Sequence, residues 1–192
     1  MSDGDSEANG PEGAPVEHRS PERVREVYDR IAAHFAETRH HAWPESREFL
    51  DGRSGAVGLD VGCGNGRNAE LLAERVDRAL GLDASRGLLG EARSRAGETV
   101  ELVQGDASHL PVTADTVDIA LYIATLHHLP DRETRRGSLG ELARVLAPGG
   151  RGLVSAWSTA HERFEADLAA SPLTVEATWL ASGNCYARVR GE

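Results

Sequence analysis

The chain has 192 residues, enough for one domain of ordinary size with a buried core. Its 21 basic residues are all arginine. Against 31 acidic residues they leave a net charge of −10, which disfavours attraction to nucleic acid at low salt. It does not exclude it, because at molar salt the Debye length falls to about 3 Å. No apolar run approaches a bilayer span and no charged-then-apolar leader opens the chain, so the expectation is a soluble, cytoplasmic protein. The acidic, lysine-free composition fits a GC-rich source, with halophilic adaptation and plain codon bias both left open. Cys63 and Cys185 are too far apart for a pair-spaced metal motif and read as free thiols. No spacing in the chain calls for a metal.

Residues 1–20 are Gly-, Pro-, Ser- and acid-rich with almost no large apolar residue, and read as a disordered acidic tail. Ser20 then caps a helix with Pro21 at its first position and Glu22 in its first turn. Val24, Val27, Tyr28, Ile31 and Phe35 recur along it at helical spacing. A short second helix follows Pro44 and carries Phe49 and Leu50. Residues 21–55 are thus expected to form cover helices, or a lid, ahead of the main domain over 56–192.

From residue 56 the period changes. "AVGLDVG", "RALGLD", "TVELVQGD", "TVDIALYIA" and "RGLVSAW" read as strands. "NAELLAERV", "SRGLLGEARSRA" and "DRETRRGSLGELARVLAPGG" read as helices, the last closed by Pro148-Gly149-Gly150. Such alternation predicts an α/β fold, a parallel sheet with helices on both faces. "TVEATWL" and "CYARVRG", joined by "ASGN", predict a closing antiparallel hairpin.

"LDVGCGNG" follows a strand and opens a helix. Gly62, Gly64 and Gly66 would let the backbone approach a ligand without a Cβ clash. Asp83 ends the second strand, where a carboxylate can accept both hydroxyls of a ribose, and Asp106 ends the third, beside the place for an adenine. A dinucleotide fingerprint wants a small residue where Arg67 stands. The Gly-x-Gly-x-Gly spacing after Asp60 instead fits S-adenosyl-L-methionine.

"LDVGCGNG", "GLDAS", "GDASHLP", "VDIALYIATLHHL" and "ELARVLAPGG" together resemble a Rossmann-like class I S-adenosylmethionine-dependent methyltransferase. The resemblance implies a mostly parallel seven-stranded sheet in the order 3-2-1-4-5-7-6 with a C-terminal antiparallel hairpin. It implies cofactor contacts from Asp60, Gly62, Cys63, Gly64, Gly66, Asp83, Ala84, Asp106, Ala107 and Ile123, with Tyr28 reaching the donor or packing in the core. "YDRIAAHFAETRHHAWP", "LHHL", Arg135-Arg136 and "VSAW" are further similar to the tRNA wobble-uridine carboxymethyl methyltransferases. That family esterifies a carboxymethyluridine with a small zinc-ribbon-like activator protein, here expected on the edge strand Val100–Gln104. An uncovered apolar edge invites such pairing. The family's longer segment before the final hairpin is reduced here to "STAHERFEADLAASPL", and the aromatic often found after the basic residue of "GNGRNAE" is missing.

Methyl transfer from a sulfonium needs alignment more than activation, and an ionised carboxylate acceptor needs no general base. Arg39 is the candidate for gripping that carboxylate, since a guanidinium binds it in a fixed fork geometry. His127 and Trp43 complete the candidate catalytic set, one as a hydrogen-bonding group at a strand end and the other as a stacking ring or a core residue. Two alternatives stay open: a methyltransferase for a small carboxylate or quinone-like molecule, and a catalytically idle donor-binding partner.

Overall fold

The computed structural model describes residues 20–192, so the expected acidic tail lies outside the described residues except for Ser20. Ser20 Oγ accepts the Arg23 N–H at 3.3 Å, capping helix α1 (Pro21–Thr38). Helix α2 (Pro44–Leu50) follows and buries Phe49 and Leu50. The sheet then begins with β1 (Gly55–Val61), α3 (Arg67–Ala73), β2 (Val76–Asp83), α4 (Arg86–Ala96) and β3 (Val100–Gln104). It continues with β4 (Val117–Tyr122), α5 (Arg132–Val145), β5 (Leu146–Trp157) and α6 (His161–Ala169), and closes with β6 (Thr174–Ala181) and β7 (Asn184–Arg190). The spatial order is β3-β2-β1-β4-β5-β7-β6, as expected. β1 to β5 pair in parallel, and β7 is antiparallel to both β5 and β6.

β4 shows why the sheet needs cover on both faces. Ala120 and Tyr122 join a core with Leu139 and Leu142 of α5 and Phe164 of α6. Ile119, Leu121 and Ile123 point the other way, to Phe49 and Leu50 of α2 and Leu72 of α3. An apolar strand buried on both faces is the signature of a helix-sandwiched sheet.

Three expectations are corrected. The helix predicted over "NAELLAERV" stops at Ala73, because Val76 is already paired with Gly55 in the β1–β2 ladder. The helix that Pro148-Gly149-Gly150 was expected to close ends sooner, at Val145, and Leu146 already pairs with Val117. Pro148 has no N–H to continue a helix, and Gly149 adopts a φ of 77°. Third, Val27 and Ile31 do not pack as their spacing suggested: they are 40% and 37% exposed, and Ala32 is the buried residue of α1. α1 lies along α4 rather than flat on the sheet, so Val27 and Ile31 face outward while Val24, Tyr28 and Phe35 of the same stripe face the cleft.

Candidate active site

A cleft of about 230 Å³ opens at the carboxyl ends of β1, β2 and β4, beneath α1, where open α/β sheets place ligands. Its floor is the turn after β1. Gly62 and Gly64 have φ of 71° and 55°, the left-handed region that glycine enters without penalty. A Cβ on Gly62 would stand 2.2 Å from Thr125 Oγ1, so that position admits no side chain. One on Gly64 would meet only Phe35 at 3.6 Å, so the backbone there faces open space. The Gly62 and Cys63 N–H groups donate to Leu82 O at 2.7 and 2.9 Å, tying the turn to β2. Asp83 stands at the end of β2. Its Oδ2 accepts the Gly64 N–H and its Oδ1 the Ser85 N–H, both at 2.8 Å. Burial raises its pKa, and these two N–H groups partly offset that. Ala84, Asp106, Ala107 and Ile123 complete the wall on this side. Asp106 Oδ1 is engaged by the Ser108 N–H and hydroxyl, both at 2.8 Å.

The opposite wall comes from α1 and the residues after it. Tyr28 shares a 3.0 Å hydrogen bond with His128 Nε2. Phe35 stands edge-on to Tyr28 and carries the Arg39 guanidinium 4.7 Å above its ring. Arg39 also donates to Thr38 Oγ1 at 2.9 Å, and its carbonyl accepts from Asn65 Nδ2 at 2.9 Å, linking it to the glycine turn. Trp43 lines the cleft with Arg67 stacked 5.6 Å over its ring. α1 is pinned by Asp29. One of its carboxylate oxygens accepts from Ser85 Oγ at 2.6 Å and from the Gly87 N–H at 2.9 Å, at the start of α4. Those bonds hold the Asp29 carboxyl below its ordinary pKa.

Three candidate residues do not reach the cleft. Asp60 is 1% exposed and sits under the turn. Burial, and then the Asp83 charge, push its pKa up to about 7. The Arg67 charge, and less so the Ala69 N–H, offset this only in part, and neither carboxylate oxygen has a partner in hydrogen-bonding geometry. Gly66 (φ 79°) starts α3 and lets it approach α4, where an added Cβ would meet Ala92 Cβ at 3.0 Å. His127 turns to the far side of its 3-10 turn, into a small pocket with Arg135, Arg163 and Asp167. Burial lowers its pKa to about 3. His128, the next residue, faces the cleft instead. His40 and His41 are exposed and face each other, outside the cleft.

The cleft also holds residues that sequence reasoning did not assign. Asn65 and Asn68 line it, and the side-chain carbonyl of each is buried without a partner. Asn65 lies in the glycine-rich turn and Asn68 in the first turn of α3 that follows it, and that placement was the available signal. Thr125 has no such signal and Trp157 only its place at the end of "VSAW", since sheet order is what brings the residues after β4 and at the end of β5 to the cleft.

A family model described as a methyltransferase domain matches residues 59–154, half of the chain. The chain belongs to this family. Its methyl donor is S-adenosyl-L-methionine, and the cleft fits that molecule. The orphaned carbonyls of Asn65 and Asn68 suit an ammonium group, Asp83 suits a ribose, and the walls at Leu82, Leu88 and Ala107 suit a purine. Among curated proteins, this methyltransferase is 37% identical over 140 residues to the mouse tRNA (carboxymethyluridine(34)-5-O)-methyltransferase ALKBH8. That match covers 72% of the chain but 20% of the relative. The Saccharomyces cerevisiae protein of the same activity name is 34% identical over 159 residues, 78% of the chain and 56% of the relative. The methyltransferase therefore spans between a fifth and just over half the length of these two relatives. Among solved structures, a chain from the complex between the Haloferax volcanii Trm112 methyltransferase activator and a methyltransferase superposes with a TM-score of 0.72. It shares 22% identity, and the match covers 88% of this chain and 97% of the other. That likeness is one of fold.

Proposed function

We propose that the chain esterifies the carboxylate of a 5-carboxymethyl group on a tRNA wobble uridine, using S-adenosyl-L-methionine, in complex with a small zinc-ribbon-like activator. The observation that carries this reading is the guanidinium of Arg39 at a cleft that already suits the donor. The acceptor carboxylate is ionised at neutral pH, so no group near the sulfonium has to remove a proton. The chain has to hold a negatively charged acceptor in line with the methyl group and exclude water. Arg39 is held by the Phe35 ring and by Thr38, and its carbonyl is anchored to Asn65, so its charge is presented from a fixed base. Arg67 adds a second cation on the same side. Tyr28 and His128 close the cleft between α1 and the end of β4.

The activity named for the mouse and Saccharomyces cerevisiae relatives supports the acceptor. The Trm112 activator in the Haloferax volcanii complex supports the partner. β3 is an edge of the sheet with Val103 37% exposed, a surface to which a partner strand can pair. The test is a methyl-transfer assay with the full chain and a co-expressed zinc-ribbon activator, labelled donor and an anticodon stem-loop carrying 5-carboxymethyluridine. The expected product is a base-labile methyl ester. In Arg39→Ala, kcat/KM should fall roughly 10- to 100-fold with donor affinity kept. Full activity in that variant would remove Arg39 from the site. Transfer only to small free carboxylic acids would favour a small-molecule enzyme.

A further inference from the structure

We propose that Trp157, the last residue of β5, is the platform on which the acceptor base stacks. The inference rests on the wobble-uridine reading and names the residue that would hold the base. Trp157 is 51% exposed although it lines the cleft beside Ala124 and His128. Its backbone is fixed on both sides. The Trp157 N–H donates to His127 Nδ1 at 3.4 Å, its carbonyl accepts from Cys185 Sγ at 3.7 Å, and its register partner is Asn184 of β7.

One face of the indole is already taken. The His127 imidazole lies 4.1 Å away, tilted by 30°, and the His128 ring meets it edge-on at 5.5 Å. His127 covers one face, which leaves the opposite face of this half-exposed residue for a ligand. His127 is well suited to backing it. Burial keeps its imidazole neutral, and the bond from the Trp157 N–H leaves its proton on Nε2. The platform is thus rigid and uncharged.

Trp43 has none of this freedom. Arg67 lies over its ring, Tyr186 stands 6.3 Å away at 68°, and it packs against the second core cluster. A planar pyrimidine splayed out of a loop stacks on an aromatic face without needing base-edge hydrogen bonds. Stacking of this kind does not depend on the chain's net charge of −10.

The test uses the full chain in complex with a co-expressed zinc-ribbon activator, with S-adenosyl-L-homocysteine and a fluorescently labelled anticodon stem-loop carrying 5-carboxymethyluridine, read by anisotropy. Turnover is measured separately with the methyl donor. Trp157→Ala should weaken stem-loop binding and raise its KM by roughly 5- to 150-fold, while donor affinity stays within about twofold. Trp157→Phe should restore most of the binding, since it keeps an aromatic face. Equal stem-loop affinity for Trp157→Ala and the unaltered chain would overturn the proposal. So would equal losses in the Phe and Ala variants, which would mark a packing role. If the unaltered chain binds the stem-loop but leaves it unmethylated, the wobble-uridine reading fails, while the anisotropy comparison still decides the platform. Absence of binding by the unaltered chain overturns both.

Discussion

Asp60 is the residue whose chemistry the sequence misjudged most. As the acid before the glycine run, it read as a cofactor ligand. It is sealed beneath the turn, with its carboxylate oxygens orphaned and Asp83 close enough to raise its pKa. Its unfolded carboxyl titrates near 3.8 and its folded one at about 7. Between those values the folded chain keeps a proton at Asp60 that the unfolded chain has lost, so the contribution of Asp60 to stability falls as pH rises from about 4 to about 7. Asp60→Asn should flatten that slope and raise stability above pH 7 by a few kcal/mol at most, since each tenfold change in proton affinity is worth about 1.4 kcal/mol. Urea unfolding of both chains at pH 5 and pH 8 measures it, and an unchanged slope would contradict the assignment. Residues with a fixed backbone role were legible. Gly62 and Gly64 could be read from spacing because only glycine enters their φ region beside Thr125 or the open cleft. His127 and His128 could not be told apart, because which of two adjacent residues faces a cleft depends on the turn they share.

At the scale of elements, α1 is a plate laid along α4. Its firm anchor is Asp29 on the start of α4, and Tyr28 to His128 is a second tie. Asp29→Ala removes the acceptor for Ser85 Oγ and the Gly87 N–H and should cost about 0.5–2 kcal/mol, as lost helix caps do. We expect hydrogen exchange to accelerate in Pro21–Thr38 while the sheet stays protected, and KM for the donor to rise. Uniform exchange change across the chain would mean that α1 is not an independent plate. The helix itself was plain from Ser20, Pro21 and its apolar spacing. Which side it buries was not, because Val27 and Ile31 obey the spacing yet face outward. That is decided by α4, against which α1 packs. The helix expected to close at Pro148-Gly149-Gly150 ends sooner for a similar reason: pairing of Leu146 with Val117 claims residues that local pattern left helical.

For the whole molecule, the strand order could be anticipated in full because it came with a recognised family pattern, and the sheet follows it. Trp157 and Thr125 became visible as cleft residues only once that order placed β4 and β5 side by side. β3 is one edge of the finished sheet, and a charge there should block strand pairing without entering the core. Val103→Glu should abolish co-purification with a co-expressed zinc-ribbon activator while leaving the melting temperature of the isolated chain within about 2 °C. Retained co-purification would place the activator elsewhere. No helix among the described residues is long and apolar enough to cross a membrane.

The central claim concerns the acceptor, and the most direct measurement is made on the tRNA of the source organism. The gene is deleted, total tRNA is digested to nucleosides under neutral conditions, and these are quantified by mass spectrometry. The expected result is loss of the methyl ester of 5-carboxymethyluridine, accumulation of the free acid, and restoration by the intact gene but not by Arg39→Ala. A nucleoside profile identical to that of the parent strain would contradict it.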